Sequence, residues 1–454
     1  MNVAEILRAT GGRLIGGDRH AIIDPRRIST DSRSVRRGDL FVAIKGDRFD
    51  GDAFAGDALT RGALGAVVTR DDVVAKAPGK VIIRVDDGTK ALQQIAHHHR
   101  MRFSLPVIGV TGSNGKTTVK EMIAAVLSGS FKVLKTEGTK NNHIGVPQTL
   151  LKLTNAHEVC VLEMGTNHQG EIRFLAQIAR PSMGVLTNIG PSHLEFFKDL
   201  EGVFSAKREL LDALPAGGCA LVNGDDMYLS HVESRDHRIV RFGFRKRNHV
   251  RANHIFSAKG RLAFIVNERH PFSLRMLGLH NVMNSLAAIA CGLEYGVSYS
   301  LMKKRLAAFA PAESRMHVKE VGGIVVIDDS YNANPLSMEY ALEALAGYQG
   351  KTKWVVVGDM LELGKSEKRY HESVGVAVAK LALGGLFTYG KLSRHIAEKA
   401  LASGMKNARI RHCATHEEIA RALGKAARKG DVVLVKGSRG MRMEEVIKIL
   451  EDRL

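Results

Sequence analysis

Short apolar runs alternate with helix-periodic stretches along most of the chain. Apolar runs of three to five residues, bounded by glycine, proline or polar residues, indicate buried strands. The predicted strands span residues 40–44, 66–68, 81–83, 107–110, 158–162, 183–186, 324–327, 354–357, 386–389 and 432–435. The clearest helical stretches are 117–127 and 336–345. Strands that alternate with helices in this way predict an α/β fold with mainly parallel sheets.

Two breaks divide this pattern into three segments. Pro106 follows a short passage without periodicity and biases the residue before it towards extended geometry. A second break falls at residues 309–312, beyond which another alternating series begins. A chain of 454 residues is also too long for one ordinary core. We therefore predict three α/β domains, at residues 1–103, 104–310 and 311–454.

Composition indicates a folded protein of a reducing compartment. Hydrophobic residues make up 44% of the chain and charged residues 25%. No apolar run approaches the roughly 18 residues needed to span a bilayer, and the N-terminus lacks the apolar core of a signal peptide. The four cysteines form no close pair, which excludes a Cys-x-x-Cys site. We predict a cytoplasmic protein that does not insert into membranes.

The formal net charge of +19 admits two interpretations. A basic surface binds nucleic acid, or it attracts anionic small substrates such as nucleotides. The basic residues are spread over the whole chain, and the densest clusters, 241–251 and 421–429, have little aromatic interleaving and no recognisable nucleic-acid module. We therefore expect anionic small substrates and no nucleic-acid partner.

The strongest motif is a glycine-rich loop between a predicted strand and a predicted helix. It consists of Thr111, Gly112, Ser113, Asn114, Gly115, Lys116, Thr117 and Thr118. Glycines let backbone N–H groups face phosphate oxygens, and the helix N-terminus adds positive potential. Lys116 would reach the β- and γ-phosphates of ATP, and the Thr117 hydroxyl would bind Mg²⁺. The spacing departs from the Walker pattern, because Val110 stands where the first glycine belongs. The strand–loop–helix context nevertheless favours nucleotide binding over a structural turn.

Three further side chains are candidates for the chemistry. Glu163 follows an apolar strand, where an open α/β sheet places ligand-binding acids, and carboxylates suit Mg²⁺. A capping or solvated acid is the alternative. A lone histidine such as His193 is more often a loop residue with satisfied hydrogen bonds than a metal ligand. Lys207 lies on the apolar stripe of its own predicted helix, so it either extends its ammonium to water or is buried as a neutral, nucleophilic amine.

The run His97-His98-His99 also suggests a metal site at first sight. Adjacent helical positions point about 100° apart, so these side chains cannot converge on one ion. We predict a solvated helix there instead.

The glycine-rich loop resembles that of the Mur ligase superfamily, which favours Thr-Gly-Thr/Ser-x-Gly-Lys-Thr and so accounts for the displaced glycine. That superfamily includes the cytoplasmic peptidoglycan-precursor ligases and folylpolyglutamate synthetase. Further motifs follow in the family's order: Glu163-Met164-Gly165, Thr187-Asn188-Ile189-Gly190 with His193, Ala206-Lys207, residues 278–284, Ser314-Arg315-Met316 and Gly358-Asp359. The resemblance covers all three segments. It implies an N-terminal uridine-nucleotide-binding domain, a central P-loop ATPase domain and a C-terminal Rossmann-like domain.

Two stretches narrow the resemblance within the family. The sequence Asp-Asp-Ser-Tyr-Asn-Ala-Asn-Pro at 328–335 is similar to the signature of the member that adds a D-alanyl-D-alanine dipeptide. The sister enzyme that adds the third amino acid usually has Asp-Tyr-Ala-His there. Residues 29–33 and 46–51 resemble the uridine-nucleotide domain of both enzymes. The family's Asp-Gly-His-x-Phe appears here with Asp52 in place of histidine, which leaves the role of that position open.

The resemblance also implies roles for individual residues. The implied catalytic residues are Lys116, Glu163, His193, Lys207 and Arg315. The implied magnesium ligands are Thr117, Glu163, His193 and a carbamylated Lys207. The implied ATP-binding residues are the loop 111–118, Asn281, Asn284, Arg315 and Asp329, with His280 at the base. The implied substrate-binding residues are Ser29, Asp31, Ser32, Arg33, Gly46, Asp47 and Asn142, with Thr139, Asn141 and Gln148 in or near the same loop. From the residues alone, Asn281 and Asn284 share one helix face, and N-terminal capping is the alternative.

The activity implied by the resemblance is ATP-dependent ligation of a carboxylate to an amine. ATP and Mg²⁺ would activate UDP-N-acetylmuramoyl-tripeptide as an acyl phosphate, and D-alanyl-D-alanine would displace the phosphate. The product would serve peptidoglycan synthesis, and hence cell wall biogenesis, cell shape and cell division. We expect a monomer. The alternatives are the sister ligase that adds the third amino acid, and a nucleotide-switch or nucleic-acid-binding ATPase.

Overall fold

The computed structural model describes residues 1–46, 49–72, 79–258, 260–311 and 314–453. These residues form three sheets, each with helices packed on it, and the predicted α/β fold is confirmed. Every predicted strand overlaps an observed one. Within the described ranges, no helix has both the length and the apolar character needed to cross a membrane.

The N-terminal sheet has five strands in the order β1-β5-β4-β3-β2. The strands are β1 (Arg13–Gly16), β2 (Ile28–Ser29), β3 (Leu40–Val42), β4 (Gly65–Val68) and β5 (Val81–Arg84). The helices are α1 (Val3–Thr10), α2 (Ala55–Thr60) and α3 (Gly88–Arg100). All pairs are parallel except β1 with β5.

Helix α3 corrects the prediction of a solvated helix at the histidine run. His99 is 5% exposed and Arg100 is 7% exposed. His99 Nε2 lies 3.0 Å from the carbonyl oxygen of Leu153, and Arg100 Nε donates to the carbonyl of Ala179 over 3.0 Å. The helix is therefore packed against the central domain, and both side chains contact backbone carbonyls of that domain. The sequence pattern missed this because both partners lie more than 50 residues away.

The central sheet has nine strands in the order β14-β13-β12-β11-β10-β9-β6-β8-β7. The strands are β6 (Val107–Thr111), β7 (Val133–Lys135), β8 (Val159–Glu163), β9 (Met183–Leu186), β10 (Cys219–Asn223), β11 (Arg238–Gly243), β12 (Val250–Ala258), β13 (Arg261–Val266) and β14 (His270–Leu274). The helices are α4 (Lys116–Leu127), α5 (Gly145–Leu150), α6 (Glu171–Ala179), α7 (Leu194–Phe197), α8 (Leu200–Asp212), α9 (Leu279–Glu294) and α10 (Tyr299–Ala307). The strands from β6 to β12 are all parallel to one another. Strands β13 and β14 extend the sheet in antiparallel orientation, which the sequence pattern did not indicate.

The C-terminal sheet has six strands in the order β15-β16-β20-β17-β18-β19. The strands are β15 (His317–Val321), β16 (Ile324–Asp329), β17 (Lys353–Gly358), β18 (Leu383–Tyr389), β19 (Ile410–Cys413) and β20 (Val432–Lys436). The helices are α11 (Pro335–Gly347), α12 (Glu367–Ala379), α13 (Arg394–Ala402), α14 (His416–Ala426) and α15 (Glu444–Arg453). All pairs are parallel except β15 with β16.

The strand order of the central sheet brings distant motifs together. Strand β6 lies between β8 and β9, and all five residues of β6 and β8 are buried. Burial on both faces explains why these strands read as continuous apolar runs. The carboxyl ends of neighbouring parallel strands meet at one sheet edge. The loop after β6, Glu163 at the end of β8 and the segment after β9 therefore share that edge.

Candidate active site

A cavity of about 1040 Å³ lies between the central and C-terminal domains. The central domain contributes the loop after β6, the end of β8 and the start of α9. The C-terminal domain contributes the ends of β16 and β20 and the start of α11. Predicted site residues that line the cavity are Ser113, Asn114, Gly115, Lys116, Thr117, Thr118, Asn142, Glu163, His193, Asn281, Asn284, Arg315 and Asp329. The structure therefore assembles most of the predicted site from six separate parts of the chain.

The glycine-rich loop depends on two glycines. Gly112 has φ +146°, and a Cβ there would lie 1.9 Å from Thr187 Oγ1. Gly115 has φ +80°, and a Cβ there would lie 2.5 Å from Asn284 Oδ1. Both positions combine a left-handed backbone with close neighbours, so other residues would displace the loop. Gly112 and the buried Thr111 are not among the lining residues and form the base of the loop.

Lys116 is folded back onto this loop. Its Nζ donates to the carbonyl oxygens of Gly112 over 2.8 Å and Ser113 over 3.1 Å. Burial is the main cause that lowers the pKa of Lys116, the Arg315 charge also lowers it, and Glu163 opposes both. Lys116 thus shares the cavity lining with a carboxylate of the central domain and a guanidinium of the C-terminal domain, and both charges act on it.

Glu163 combines deep burial with an unpaired oxygen. It is 1% exposed, which excludes the solvated-acid alternative. Its backbone N–H donates to Thr136 Oγ1 over 3.0 Å, and its Oε1 accepts from Asn141 Nδ2 over 2.7 Å. Its Oε2 has no hydrogen-bond partner within the part of the chain that the structure describes. Leaving a buried carboxylate oxygen unpaired is costly, and a hard cation would satisfy it. The Glu163 environment therefore fits a magnesium ion.

His193 and Lys207 occupy different surroundings from those of Glu163. His193 has φ +51° at the start of α7, and its Nδ1 lies 2.5 Å from Glu362 Oε2 of the C-terminal domain. Lys207 on α8 is 1% exposed and is not among the lining residues, so the alternative of an ammonium extended to water is wrong. Burial first, and the Lys116 charge second, hold the pKa of Lys207 well below the ordinary lysine value. Among the described residues, no three His, Cys, Asp or Glu side chains converge as a metal site.

The start of α9 forms another wall of the cavity. Asn284 Nδ2 donates to Asn281 Oδ1 over 3.0 Å, and Asn281 Nδ2 donates to the carbonyl of Leu277 over 2.7 Å. The helix begins after Gly278 without a side-chain cap, so the capping alternative for both asparagines is wrong. His280 stacks on Tyr340 of the C-terminal domain, with ring centroids 5.0 Å apart. Burial, assisted by the Lys436 charge, lowers the pKa of His280 to about 4. A flat neutral ring is therefore available beside two amides.

The C-terminal domain presents Arg315 in a strained segment. Its neighbours Ser314 and Met316 have φ +57° and +51°, a costly conformation for residues other than glycine. Asp329 holds this segment, because its Oδ1 accepts from the backbone N–H of Met316 over 3.0 Å. The Arg315 guanidinium lies 3.9 Å from the centroid of the Tyr331 ring. The observed strain and stacking thus fix a cation at the cavity wall.

The two domains contact each other directly across the cavity. Asn114 and Asn334 exchange amide hydrogen bonds of 3.2 and 2.8 Å. The backbone N–H of Glu195 donates to the carbonyl of Glu362 over 3.2 Å, next to the contact between His193 and the same glutamate. The phosphate loop and the end of the central sheet are therefore linked to the C-terminal domain at two separate points.

The predicted substrate-binding residues of the N-terminal domain that the structure describes do not line the cavity. These residues are Ser29, Asp31, Ser32, Arg33 and Gly46. Asp31 Oδ1 pairs with Arg33 Nε over 2.9 Å, and Gln148 Nε2 of α5 donates to Thr30 Oγ1 over 2.9 Å. The latter bond ties this segment to the central domain. Asp47 lies outside the described residues. Asp52 is 6% exposed and accepts from the backbone N–H of Thr69, which is a structural tie within the domain.

Five residues near the site were not predicted to have roles. They are Lys120, Tyr331, Asn334, Glu362 and Lys436. Lys436 directly follows the predicted strand 432–435. Its position at the carboxyl end of a strand could have marked it as a candidate site residue. Its Nζ pairs with Asp329 Oδ2 over 2.5 Å. Tyr331 and Asn334 lie inside the quoted motif at 328–335, whereas Lys120 and Glu362 carry no sequence signal, because their partners are distant in sequence.

The fold and the cavity define a three-domain nucleotide-binding protein whose phosphate loop faces a second α/β domain. Three family models match consecutive parts of the chain: the Mur ligase family catalytic domain at 26–100, the Mur ligase middle domain at 110–292 and the Mur ligase glutamate ligase domain at 314–439. The chain belongs to the Mur ligase family.

Named relatives match over nearly the whole length. The chain is 37% identical to the UDP-N-acetylmuramoyl-tripeptide–D-alanyl-D-alanine ligase of Bacillus subtilis, over 99% of this chain and 97% of the relative. It is 34% identical to the ligase of the same name from Escherichia coli, over 100% and 98%. Sequence identities of this size over nearly the whole of both chains show a common fold.

Solved structures give the same result. A crystal structure of MurF from Acinetobacter baumannii matches with a TM-score of 0.90 at 32% identity, covering 99% of this chain and 98% of the other. MurF from Thermotoga maritima in complex with ADP matches with a TM-score of 0.84 at 31% identity, covering 95% and 99%. The three-domain arrangement is therefore that of MurF structures.

Proposed function

We propose that this protein is the ATP-dependent ligase that joins D-alanyl-D-alanine to UDP-N-acetylmuramoyl-tripeptide, with release of ADP and phosphate. The carrying observation is the shared cavity in which Lys116 and Glu163 of the central domain face Arg315 of the C-terminal domain. The names of the full-length relatives supply the substrates. The product, a UDP-linked pentapeptide, is a precursor for peptidoglycan and thus for cell wall biogenesis.

ATP would bind with its phosphates on the 111–118 loop. Backbone N–H groups at the start of α4 face the cavity, and Lys116 would exchange its two carbonyl partners for phosphate oxygens. Arg315, held over Tyr331, would approach the phosphates from the opposite wall. The Thermotoga relative was solved with ADP, which supports this assignment. His280, Asn281 and Asn284 would border the base, and Asp329 the ribose.

The reaction has two steps. The tripeptide carboxylate attacks the γ-phosphorus in line, the bond to the β-phosphate oxygen breaks, and ADP leaves. The amine of the dipeptide then attacks the acyl carbon, phosphate leaves with the bonding electrons, and the nitrogen loses a proton. Lys116 and Arg315 stabilise the charge that develops on the transferred group, which is where preorganised cations accelerate such reactions.

The surroundings of Glu163 fit a magnesium ion, and the proposed reaction includes two such ions. Glu163 Oε2 and the Thr117 hydroxyl would hold one ion at the phosphates, and His193 with a carbamylated Lys207 would hold a second. Bound Mg²⁺ would spread the negative charge of the phosphates and orient them. His193 would have to exchange its contact with Glu362 for this role. Burial lowers the pKa of Lys207 and so favours the neutral amine, which supports addition of CO₂ to its nitrogen to give a carbamate with release of one proton.

The division of labour would follow the boundaries at 103 and 310. Residues 1–103, with Ser29, Asp31, Ser32, Arg33, Gly46 and Asp47, would bind the uridine nucleotide. Asn142, Thr139 and Asn141 of the central domain would contact the rest of that substrate. The enzyme would act as a monomer in the cytoplasm, as the sequence predicts.

The test is to combine four components and omit them one at a time. Phosphate release should require ATP, Mg²⁺, UDP-tripeptide and D-alanyl-D-alanine together, and mass spectrometry should show the pentapeptide. Tripeptides ending in diaminopimelate and in lysine are both supplied. Equal ATP hydrolysis without D-alanyl-D-alanine would contradict the proposal. Ligation of a single amino acid to the UDP-linked dipeptide would also contradict it, and so would ATP hydrolysis stimulated by nucleic acid alone. Those last two results would favour the sister ligase and a nucleic-acid-dependent ATPase.

A further inference from the structure

Lys120 is a fully buried lysine that the reaction scheme leaves without a role. It lies one helical turn after Lys116 on α4, and its side chain is 0% exposed. Fully buried lysines are rare unless they are paired. The Nζ group donates to the carbonyl oxygens of Thr136 over 2.7 Å and Gly138 over 2.9 Å, and it lies 2.8 Å from Glu121 Oε1. All three donors of the ammonium therefore have a partner.

The two carbonyls belong to residues 136–142, which we call the 136–142 segment and which follows strand β7. The start of the segment supports Glu163, since Thr136 Oγ1 accepts from the backbone N–H of that residue over 3.0 Å. The far end supports it again, because Asn141 Nδ2 donates to Glu163 Oε1 over 2.7 Å. Thr139, Asn141 and Asn142 also line the cavity. The segment is therefore one wall of the site and the support of its buried acid.

Lys116 and Lys120 belong to one helix, which holds the two ammonium groups in a constant relation. We infer that Lys120 is a positioning residue. It keeps the 136–142 segment, and with it the Glu163 carboxylate and the wall for the UDP-linked substrate, in register with the phosphate loop. This inference rests on the proposed ligase function. Loss of a lysine that merely stabilises the fold would weaken the use of all substrates alike. Loss of a positioning residue would mainly weaken the use of the UDP-linked substrate, which the 136–142 segment contacts.

The variant Lys120→Met tests the inference, because it keeps the length of the side chain and removes the ammonium. Two carbonyls lose their charged donor, and the segment can move away from α4. We expect kcat to fall and the KM for UDP-tripeptide to rise by about tenfold or more in total, since small displacements of positioning groups cost up to about 100-fold. The affinity for ADP without Mg²⁺, measured by calorimetry, should change by less than about threefold, because the phosphate loop is untouched and the Glu163 carboxylate is not needed as a metal ligand. Hydrogen exchange at the amides of residues 138–142 should be faster.

Lys135→Met is the matched control. Lys135 is the second partner of Glu121, it is 44% exposed, and it contacts the same carboxylate without reaching the 136–142 segment. This variant should ligate like the wild type. If wild type and Lys135→Met both fail to ligate, the proposed function is wrong. If both ligate, the Lys120 variant alone decides the positioning role.

A double-variant cycle separates positioning from general stabilisation. If Lys120 acts through the segment, Asn141→Ala should cost little more once Lys120→Met is present. If the effects of Lys120→Met and Asn141→Ala multiply in the double variant, the inference is overturned. Unchanged kinetics of Lys120→Met would also overturn it, and so would an ADP affinity that falls by the same factor as the KM for UDP-tripeptide rises. If Lys120→Met does not accumulate as folded protein, Lys120→Arg takes its place. That variant keeps the charge but displaces the carbonyls with a longer, planar group, and the same criteria apply.

Discussion

At the scale of single residues, two charged side chains of the candidate site are almost fully buried. Glu163 is 1% exposed and Lys207 is 1% exposed. Burial holds the pKa of Lys207 well below the ordinary lysine value, because it penalises the charged form. Buried charged groups are costly for folding, and active sites are where this cost is commonly found.

Lys207→Ala should lose most ligase activity. The amine that would carry the carbamate is gone, and the cation that it would help to hold loses a ligand. Adding a short carboxylic acid such as acetate should restore part of the activity, because the acid fills the space with an oxygen ligand. Steady-state ligation assays with and without the acid measure this. A fully active variant would show that Lys207 is only a buried structural lysine.

His280→Gln should make stability less sensitive to acid. The pKa of His280 in the folded protein is about 4, below the ordinary value of 6.5, so between these values only the unfolded chain binds the proton. Acidification from pH 6.5 towards 4 therefore destabilises the wild type, by on the order of 3 kcal/mol for this group. The variant lacks that contribution, and its Tm should fall less over this range. His20→Gln, at an exposed histidine, is the control and should follow the wild type.

At the scale of elements, the starts of three helices line the cavity. Helix α4 presents the phosphate loop, α9 presents two asparagines, and α11 presents Asn334. Asn334 caps α11, since its Oδ1 accepts from the backbone N–H of Ser337 over 2.9 Å, and the same side chain exchanges hydrogen bonds with Asn114. One residue thus joins the capping of a helix to the phosphate loop of another domain.

Asn334→Ala should therefore have two effects. Loss of the cap costs about 1 kcal/mol of stability. Loss of the amide pair with Asn114 should also raise the KM for ATP or lower kcat, by about tenfold for a lost contact of this kind. Ser298→Ala removes the cap of α10, where Ser298 Oγ accepts from the backbone N–H of Leu301 over 3.3 Å. That control should lose similar stability and keep wild-type kinetics. Equal kinetics of the two variants would contradict a role for the amide pair.

At the scale of the whole molecule, the site exists only where two domains meet. The predicted metal ligand His193 contacts Glu362, and the phosphate-loop residue Asn114 contacts Asn334. Both contacts therefore depend on the position of the C-terminal domain. Gly190, in the segment after β9, is a point of close approach, because a Cβ there would lie 2.8 Å from Leu336 Cδ2. The arrangement implies that turnover depends on how closely the domains pack.

Gly190→Val should obstruct this approach. We expect kcat to fall by about tenfold or more while the Tm remains near that of the wild type, because the added methyl groups meet the partner domain rather than a domain core. Leu336→Ala should restore part of the activity when combined with Gly190→Val, since it removes the opposing side chain. Failure of this rescue would place the effect of the valine within the central domain instead.

Contiguous residues were enough to predict the features that depend on near neighbours in the chain. The buried strands show as apolar runs, and the phosphate loop shows as a contiguous pattern whose glycines are required by local backbone geometry, at Gly112 and Gly115. The sequence also placed Glu163 at a strand end. Periodicity left two alternatives for Lys207, because a position on an apolar stripe does not say what covers the amine.

Contacts between distant groups became evident only from the packing of the folded chain. That packing paired Asn114 with Asn334, 220 residues away, and His193 with Glu362, 169 residues away. It buried His99 and Lys207, and it placed Lys120 on the carbonyls of the 136–142 segment. It also added the antiparallel strands β13 and β14 to the parallel sheet. The physical reason is that these contacts depend on the reach of side chains between packed elements, and local spacing carries no record of it.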